Sequence, residues 1–360
     1  MKNILCIRAD NMGDLIMSSP AIRALKRSFN ARITVLTSSM GAGIAPYIPC
    51  IDEVIVYDLP WIKTDHPTHS ESFFAIVNQI KERRFDAAVI FTVFSQNPLP
   101  AAMLAYLAGI PKRVAFCREN PYELLTHWIP DKEPYDFIQH QVMRDLQLVQ
   151  QLGANAVDDS LSLQIPADAW YRAQQKLKQA GINEKLPWLV LHAPVSEKKR
   201  EFPPERWAEI ARKLVHELSF QVVLTGTSSE RNYTQSLQQL IGNNAFSVAG
   251  LFTIDELIAL VANTSVLLSV NTGPVHIAAA VNTPVVVLYA LTNPQHTPWK
   301  VLNKVLYFDV PASLQSKNEV LRYVYHHVME KPLVMPSPDE ITDAVRLIAS
   351  KSGFFVQSTV

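Results

Sequence analysis

The sequence has no excess of either charge sign, few cysteines and no long apolar run. Its 360 residues include 33 basic and 33 acidic side chains, so no net positive field would attract nucleic acid. The cysteines, Cys6, Cys50 and Cys117, are an odd number at wide spacing, which fits neither a disulfide framework nor a zinc site. The apolar runs fall far below the roughly 18 residues that span a bilayer. We therefore expect a cytoplasmic protein that binds no nucleic acid.

Several motifs of nucleotide and ester chemistry are also missing. The chain has no Gly-x-Gly-x-x-Gly fingerprint of NAD enzymes, since the segment 41–43 lacks the third glycine. It has neither the P-loop of nucleoside triphosphatases nor the Gly-x-Ser-x-Gly elbow of α/β-hydrolases. An Asp-x-Asp pair, which would chelate a metal on a diphosphate, is absent too. We therefore expect no metal cofactor, and a phosphate group held by cations and a helix N-terminus.

Short β-branched runs alternate with segments of helical period, as in parallel sheets that helices cover on both faces. The expected class is α/β, with two doubly wound domains of residues 1–165 and 166–360. The boundary is placed there because a proline and a polar helix over 169–179 precede a fresh apolar strand. The final helix, 338–349, has one apolar face that must dock, and the first domain is one surface that can receive it.

Ligands of open α/β sheets bind beyond the carboxyl ends of the strands, so the strand-to-helix loops are the places to search. The first loop, 9–14, follows a strand over 3–8 and precedes a helix near 18–29. It carries two carboxylates, Asp10 and Asp14. Each can act as a general base in a partly dry cleft, or can merely cap the helix that follows.

A second candidate loop is Asn271-Thr272-Gly273, which ends a strand and precedes a helix. Because Pro274 can occupy the first helical position, free N–H groups and the positive end of the helix would face the loop. The pattern predicts either an anion site, which Gly273 would let a diphosphate approach closely, or an ordinary helix start. His276, in the first turn, either faces a ligand or satisfies a neighbouring group.

Two further loops carry residues that are compatible with phosphate. Ser196 precedes a run of three cations that includes Lys199 and Arg200, and this run can neutralise phosphates or form a solvated charged face. Thr225-Gly226 follows another strand with small polar residues, which fits a nucleotide edge and many other loops. Neither loop identifies a ligand alone.

As a set, these loops resemble those of glycosyltransferase family 9, the bacterial heptosyltransferases of lipopolysaccharide core synthesis. Four stretches carry the resemblance, and they are 4–26 with its Met12-Gly13-Asp14 turn, 199–207, 222–226 and 271–280. Two positions depart from the family pattern, because Asn271 replaces an aspartate and Arg200 stands where the family has a lysine.

The resemblance implies a GT-B fold, in which two Rossmann-like domains face each other across a cleft, the first binding the acceptor and the second the donor. It implies inverting, metal-independent transfer of a heptose from an ADP-linked donor to a hydroxyl of a lipopolysaccharide-core or other envelope glycan. Asp14 would be the general base. The acceptor would meet Asp10, Met12 and Gly13. The donor would bind Ser196, Lys199, Arg200, Thr225, Gly226, Asn271, Thr272, Gly273 and His276.

Two other functions stay open at this point. A nucleotide-sugar epimerase of the same architecture would change the donor sugar without any acceptor, and a non-catalytic nucleotide-sugar-binding homologue would fit the loss of the acid at Asn271. The sequence is also compatible with peripheral contact with the inner face of the cytoplasmic membrane. Two basic clusters, 23–27 and 81–84, can touch anionic headgroups, although such clusters also form solvated faces.

Overall fold

Strands and helices alternate along the chain and form two units, Met1–Gln164 and Ile165–Val360. Each unit contains one parallel sheet of six strands. The computed structural model describes residues 1–62, 68–290, 294–329 and 334–352. Within those ranges, every helix is too short or too polar to cross a bilayer.

The first unit has a parallel sheet with the Rossmann strand order. Its strands are β1 (Asn3–Ile7), β2 (Arg32–Thr37), β3 (Glu53–Val56), β4 (Ala87–Ile90), β5 (Lys112–Cys117) and β6 (His127–Pro130). Its helices are α1 (Met12–Phe29), α2 (Ser39–Ala42), α3 (Ser70–Glu82), α4 (Leu99–Leu107) and α5 (Gln141–Gln150). The order across the sheet is β3-β2-β1-β4-β5-β6. The order reverses between β1 and β4, and ligands of such sheets bind at this switch point, beyond the carboxyl ends of the strands.

The second unit repeats this connectivity. Its strands are β7 (Trp188–His192), β8 (Gln221–Leu224), β9 (Ala245–Ser247), β10 (Leu267–Val270), β11 (Val285–Ala290) and β12 (Asn303–Phe308). Its helices are α6 (Ala169–Gln179), α7 (Pro204–Leu218), α8 (Arg231–Ile241), α9 (Ile254–Asn263), α10 (Gly273–Ala280), α11 (Glu319–His327) and α12 (Pro338–Lys351). The order β12-β11-β10-β7-β8-β9 places its switch point between β7 and β10.

The inner strands of both sheets are buried on their two faces, because helices cover parallel sheets from both sides. Ile4 and Leu5 in β1 and Val285 in β11 have no exposed surface. Burying a side chain of this size contributes about 1.5–3 kcal/mol to the free energy of unfolding. The three cysteines are free and buried, and burial raises the pKa of the Cys50 thiol to about 11.

The last helix, α12, begins with a capping box. The side chain of Ser337 accepts a hydrogen bond from the backbone N–H of Glu340, and the Glu340 carboxylate accepts one from the backbone N–H of Ser337. The apolar residues Ile341, Val345 and Ile348 are buried in the core of the second unit, where α12 packs on α7. The helix therefore docks on the core of its own unit.

Candidate active site

Helix α1 begins earlier than expected, and this changes the setting of three candidate residues. Asn11 is its N-cap, and Met12, Gly13 and Asp14 form its first turn. The prediction that these residues form a loop ahead of a helix near residue 18 is therefore wrong. The cause is the cap, because Asn11 and Asp14 have the spacing of a capping box, which starts the helix well before Pro20.

Arg8 and the backbone of Asn11 both hold the side chain of Asp14. Its Oδ2 accepts a hydrogen bond from the backbone N–H of Asn11 at 3.2 Å, and its Oδ1 accepts one from Nη2 of Arg8 at 3.1 Å. An ionised carboxylate has about four acceptor positions, so these two hydrogen bonds do not by themselves exclude a substrate hydroxyl. The geometry of Asp14 is thus compatible with both interpretations of the sequence, the helix cap and the general base.

Asp10 lies on the other side of the same cation. Its Oδ2 forms an ion pair with Nε of Arg8 at 3.3 Å, and its Oδ1 accepts a hydrogen bond from Nε2 of Gln96 at 2.6 Å. Burial raises the pKa of Asp10 to about 6, the guanidinium of Arg8 opposes that rise, and the charge of Asp14 adds to it. Asp10 therefore exchanges its proton close to neutral pH.

A third carboxylate, Asp145 of α5, is buried against α1. Its Oδ2 accepts a hydrogen bond from the hydroxyl of Ser18 at 2.6 Å, and its Oδ1 accepts one from Nε2 of Gln141 at 2.7 Å. Burial raises the pKa of Asp145, and the nearby Arg8 opposes the rise. The interior side of this site is therefore polar and hydrogen-bonded. The hydrogen bond between Ser18 and Asp145 connects α1 to α5.

A cavity of about 270 Å³ opens at the switch point between β1 and β4. Its lining includes Asp10, Trp61, Phe91, Ser95, Gln96 and Asn97. Within the described residues, the lining includes Asp10 of the expected acceptor set but neither Met12 nor Gly13. The combination of aromatic faces with carboxylate and amide groups suits a hydroxyl-rich ligand.

In the second unit, helix α10 presents its N-terminus at the carboxyl end of β10. Thr272 is the N-cap, and its side chain forms no capping hydrogen bond. Instead, its hydroxyl donates to the backbone carbonyl oxygen of Val270 at 3.3 Å. Gly273 and Pro274 are the first two helical residues. The Thr272 side chain therefore does not cap the positive end of the helix, and an anion site there stays a prediction.

The cationic loop supplies a guanidinium beside this helix end. Lys199 and Arg200 lie in a single turn of 3-10 helix, Lys198–Arg200, and Ser196 is exposed just before it. Nη1 of Arg200 donates to the backbone carbonyl oxygen of Asn271 at 3.3 Å. Glu197 pairs with Lys199 at 3.0 Å and with Nε of Arg200 at 3.5 Å. These pairs orient the two cations before any ligand is bound.

The ends of β7, β8 and β10 are joined through His192. Its Nδ1 lies 3.0 Å from the hydroxyl of the buried Thr225, and its backbone carbonyl oxygen accepts from the hydroxyl of Ser269 at 3.1 Å. Burial lowers the pKa of His192 to about 4, with the charge of Glu230 opposing, so its ring is neutral at pH 7. A Cβ on Gly226 would lie 3.1 Å from the Glu230 carboxylate, so the close turn favours glycine there.

His276, in the first turn of α10, is buried, and its ring packs edge to face against the ring of His296 at 6.3 Å between centroids. The second-unit candidates therefore group around the carboxyl ends of β7, β8 and β10, while Asp10 and Asp14 belong to the equivalent edge of the first sheet. No cluster of three metal-binding side chains occurs among the residues that the structure describes.

The family described as glycosyltransferase family 9 (heptosyltransferase) matches residues 73–321, a range that contains all the second-unit candidates. This chain belongs to glycosyltransferase family 9. Lipopolysaccharide heptosyltransferase 2 of Escherichia coli strain K12 is 24% identical over 310 residues, which are 82% of this chain and 84% of that protein. The protein is therefore a glycosyltransferase.

Solved structures agree with this fold. The crystal structure of a glycosyltransferase of family 9 from Veillonella parvula is 19% identical, has a TM-score of 0.78 and covers 97% of this chain and 98% of its own. The ADP-heptose lps heptosyltransferase II of E. coli is 20% identical, has a TM-score of 0.71 and covers 98% of this chain and 100% of its own. The two parallel sheets are thus those of a GT-B fold, and the expected family and fold are confirmed.

Local sequence patterns do not identify several polar residues of this glycosyltransferase. They predict Arg8 only as the end of a strand, and they give no indication of Gln96 or Asp145. A charged residue directly after the apolar run of β1 was the one available signal, because a buried cation at that position needs carboxylate partners. Gln96 and Asp145 reach the site from distant parts of the chain, so no local pattern indicates them.

Proposed function

We propose that this glycosyltransferase transfers a heptose from an ADP-linked donor to a hydroxyl of a lipopolysaccharide-core or related envelope glycan, with inversion and without a metal. The observation that carries the proposal is the buried carboxylate of Asp14, which two donors orient at the carboxyl end of β1. The similarity to proteins named for lipopolysaccharide and for ADP-heptose supports the choice of sugar, nucleotide and acceptor.

Asp14 acts in this proposal as the general base. The acceptor hydroxyl gives its proton to the carboxylate while its oxygen attacks the anomeric carbon from the face opposite the diphosphate. The new bond joins the acceptor oxygen to the anomeric carbon as the bond to the diphosphate oxygen breaks. ADP leaves with that electron pair, and the configuration at the anomeric carbon inverts.

The second unit stabilises the leaving diphosphate in this proposal. Arg200 and Lys199 are oriented by Glu197, and the N-terminus of α10 adds fixed N–H donors at Gly273. Donors that are fixed before the reaction stabilise developing charge most effectively. A phosphate would compete with Glu197 for the two cations, and a guanidinium can bind two of its oxygens at once. No metal is needed for this neutralisation.

The acceptor sugar binds, in this proposal, in the cavity at the β1–β4 switch point. Asp10 and Gln96 offer hydrogen bonds to sugar hydroxyls, and Trp61 offers an apolar face. The volume of about 270 Å³ is below the roughly 300 Å³ at which sites for drug-sized ligands begin. It therefore suits one sugar residue of a longer glycan, with the rest of the acceptor outside.

The first experiment tests the base. Asp14→Asn and Asp14→Ala should lower transfer from ADP-heptose to lipopolysaccharide-core acceptors by about 100-fold or more, because general base catalysis contributes about 10²–10⁴-fold. The binding of ADP should persist. Asp136→Asn is the matched control, since Asp136 is an exposed aspartate of the same unit. Equal losses of transfer and of ADP binding in the Asp14 variants would refute the assignment.

A second experiment tests the nucleotide. Thermal unfolding is measured with ADP, UDP, GDP, CMP and NAD, because a ligand at 100 times its Kd adds about 2.7 kcal/mol to the free energy of unfolding. Stabilisation by ADP alone supports the ADP-heptose donor. A response to UDP or GDP instead would keep the glycosyltransferase and reject this donor.

The same reagents distinguish the proposed transferase from the epimerase and from the non-catalytic homologue. ADP-heptose incubated without acceptor stays largely intact with a transferase, whereas an epimerase would change its sugar. A non-catalytic homologue would bind ADP but release none from the donor with any envelope extract. Asn271 favours the non-catalytic homologue, because the family pattern has an aspartate at this position. The experiment with envelope extract therefore tests whether a chain with Asn271 releases ADP from the donor.

We also propose a cytoplasmic location, with peripheral contact at the inner membrane through the acceptor glycolipid. The basic edge of α1 contributes little to such contact, because Arg23 pairs with Asp158 and Lys26 pairs with Asp52 within the first unit. Sedimentation with vesicles that carry the glycan acceptor, compared with vesicles of anionic lipid alone, tests the distinction. Binding to both would restore the role of the basic clusters.

A further inference from the structure

Arg8 places a fully buried guanidinium between two carboxylates of the site. Its side chain has no exposed surface, its Nη2 lies 3.1 Å from Oδ1 of Asp14, and its Nε lies 3.3 Å from Oδ2 of Asp10. Taking such a charge out of water is expensive, and a protein retains it only where partners hold it. This position therefore requires a cation with two separate points of contact.

The backbone of Arg8 is part of the rigid sheet edge. Its N–H donates to the carbonyl oxygen of Leu36 at 3.0 Å, and the preceding residue, Ile7, accepts from the N–H of Phe91 at 3.0 Å. Neighbours on both sides thus fix the main chain where the side chain begins. A group that is held by the sheet can orient a reacting side chain more accurately than a group on a free loop.

Arg8 pairs with two of the three buried carboxylates at this position, Asp10 and Asp14. Asp145 is the third buried carboxylate nearby, and its charge acts on both Arg8 and Asp10. The adjacent cation of α5, Arg144, is engaged elsewhere, because it pairs with Asp131 at 2.8 Å and with Glu133 at 2.7 Å. Burial lowers the pKa of Arg8, but the negative charges of Asp10 and Asp14 outweigh this effect and raise the pKa above its ordinary value. The guanidinium therefore stays charged.

We propose that Arg8 is a positioning residue for the transfer reaction, which orients the carboxylate of Asp14 and keeps it charged until the acceptor hydroxyl donates its proton. The inference rests on the proposed role of Asp14 as the base. When the proton moves from the acceptor oxygen to Asp14, the charge of the three side chains changes from −1 to 0. Arg8 then remains paired with Asp10, so no unpaired buried cation is left.

The test compares Arg8→Lys with Arg8→Met. Arg8→Met should move the acid limb of the kcat–pH profile upward by about 1–3 pH units, because an adjacent guanidinium lowers the pKa of an aspartate by about that amount. Arg8→Lys should keep that limb within about half a unit but lower kcat about tenfold, since an ammonium cannot contact both carboxylates in the same way. The KM for ADP-heptose should change less than about twofold in both variants.

Arg144→Lys is the matched control, because it alters another buried arginine of the same unit that contacts neither Asp10 nor Asp14. Its acid limb should stay at the wild-type pH. If Arg8→Met does not fold, the double variant with Arg8→Met and Asp10→Asn takes its place in the pH measurement. The double variant removes one charge of each sign. An unchanged acid limb and unchanged kcat in the folded Arg8 variants would overturn the proposal and leave a structural role only.

Asp14→Asn separates this inference from the proposed function. If Asp14→Asn abolishes transfer and the Arg8 variants behave like wild type, only the role of Arg8 is wrong. If Asp14→Asn retains transfer, the base assignment fails and the positioning role fails with it.

Discussion

Arg200 contacts Asn271 through the main chain, with its Nη1 donating to the Asn271 carbonyl oxygen at 3.3 Å. The contact therefore does not depend on the side chain at residue 271, where this chain departs from the family pattern. It holds the guanidinium close to the start of α10, which begins two residues later. The proposed role of Arg200 in binding phosphate therefore does not require the acid that the family pattern has at residue 271.

Arg200→Ala is expected to weaken donor binding about tenfold or more, because a hydrogen bond to a charged group contributes about 1.5–3 kcal/mol. The measurement is the KM for ADP-heptose together with the increase in Tm that ADP produces. Lys198→Ala is the control, since Lys198 belongs to the same turn but is exposed. Equal effects of the two substitutions would mean that the loop acts only through its total charge.

Gln96→Ala is expected to affect the acceptor and not the donor. The substitution removes the hydrogen bond to Asp10 and a side-chain group that lines the cavity of the first unit. We expect the KM for the glycan acceptor to rise several-fold, by about 1 kcal/mol in binding free energy, while stabilisation by ADP stays unchanged. Gln151→Ala, an exposed glutamine of the same unit, serves as control. A loss of ADP response would contradict the acceptor role of this cavity.

Asp10 should make the protein less stable as the pH rises from about 4 to about 6. Its pKa is raised from the ordinary value of 3.8 to about 6 in the folded protein. Within that window the native state keeps a proton on Asp10 that the unfolded chain has released. The free energy of unfolding therefore decreases as the pH rises. The two units of pKa correspond to about 3 kcal/mol.

Asp10→Asn cannot ionise, so its free energy of unfolding relative to wild type should increase over this window. Chemical denaturation of both proteins at pH 4, 5, 6 and 7 measures the difference. A difference that stays constant between pH 4 and 7 would disprove the buried, proton-retaining state of Asp10.

His192 should have the opposite effect on stability. Its pKa falls from the ordinary 6.5 to about 4, so the native ring stays neutral while the unfolded chain takes up a proton. The unfolded state binds more protons in this window, and stability is lost as the pH falls from about 6.5 to about 4. His192→Asn should reduce that loss by about 3 kcal/mol, whereas His216→Asn, at an exposed histidine, should leave it unchanged. Identical acid profiles for wild type and His192→Asn would refute the assignment.

Much of this architecture follows from local sequence patterns. The alternation of β-branched runs with helical segments predicts two parallel sheets, and the capping boxes at Thr253 and Ser337 mark the starts of α9 and α12. The rule that ligands bind at the carboxyl ends of strands then points to the strand-to-helix junctions that carry Asp14 and Gly273. These features depend on residues only a few positions apart, which is why they can be read along the chain.

Other features depend on partners that are far apart in sequence. The contact of Ser18 with Asp145 joins residues 127 positions apart. The start of α1 is different, because the capping box of Asn11 and Asp14 that fixes it is local, and the expected start near residue 18 overlooks it. Strand β6 is an edge strand with largely exposed residues, so it lacks the apolar run that indicates a buried strand.

The repeated strand order gives each unit a complete sheet, a separate core and a separate switch point. The residues proposed to meet the acceptor and those proposed to hold the diphosphate are therefore encoded in different halves of the chain. Under the proposed function, substitutions at the edge of the first sheet alter which glycan is accepted without changing the strands that precede the proposed phosphate-binding loops. Acceptor and donor preferences would then diverge independently during the evolution of a single polypeptide.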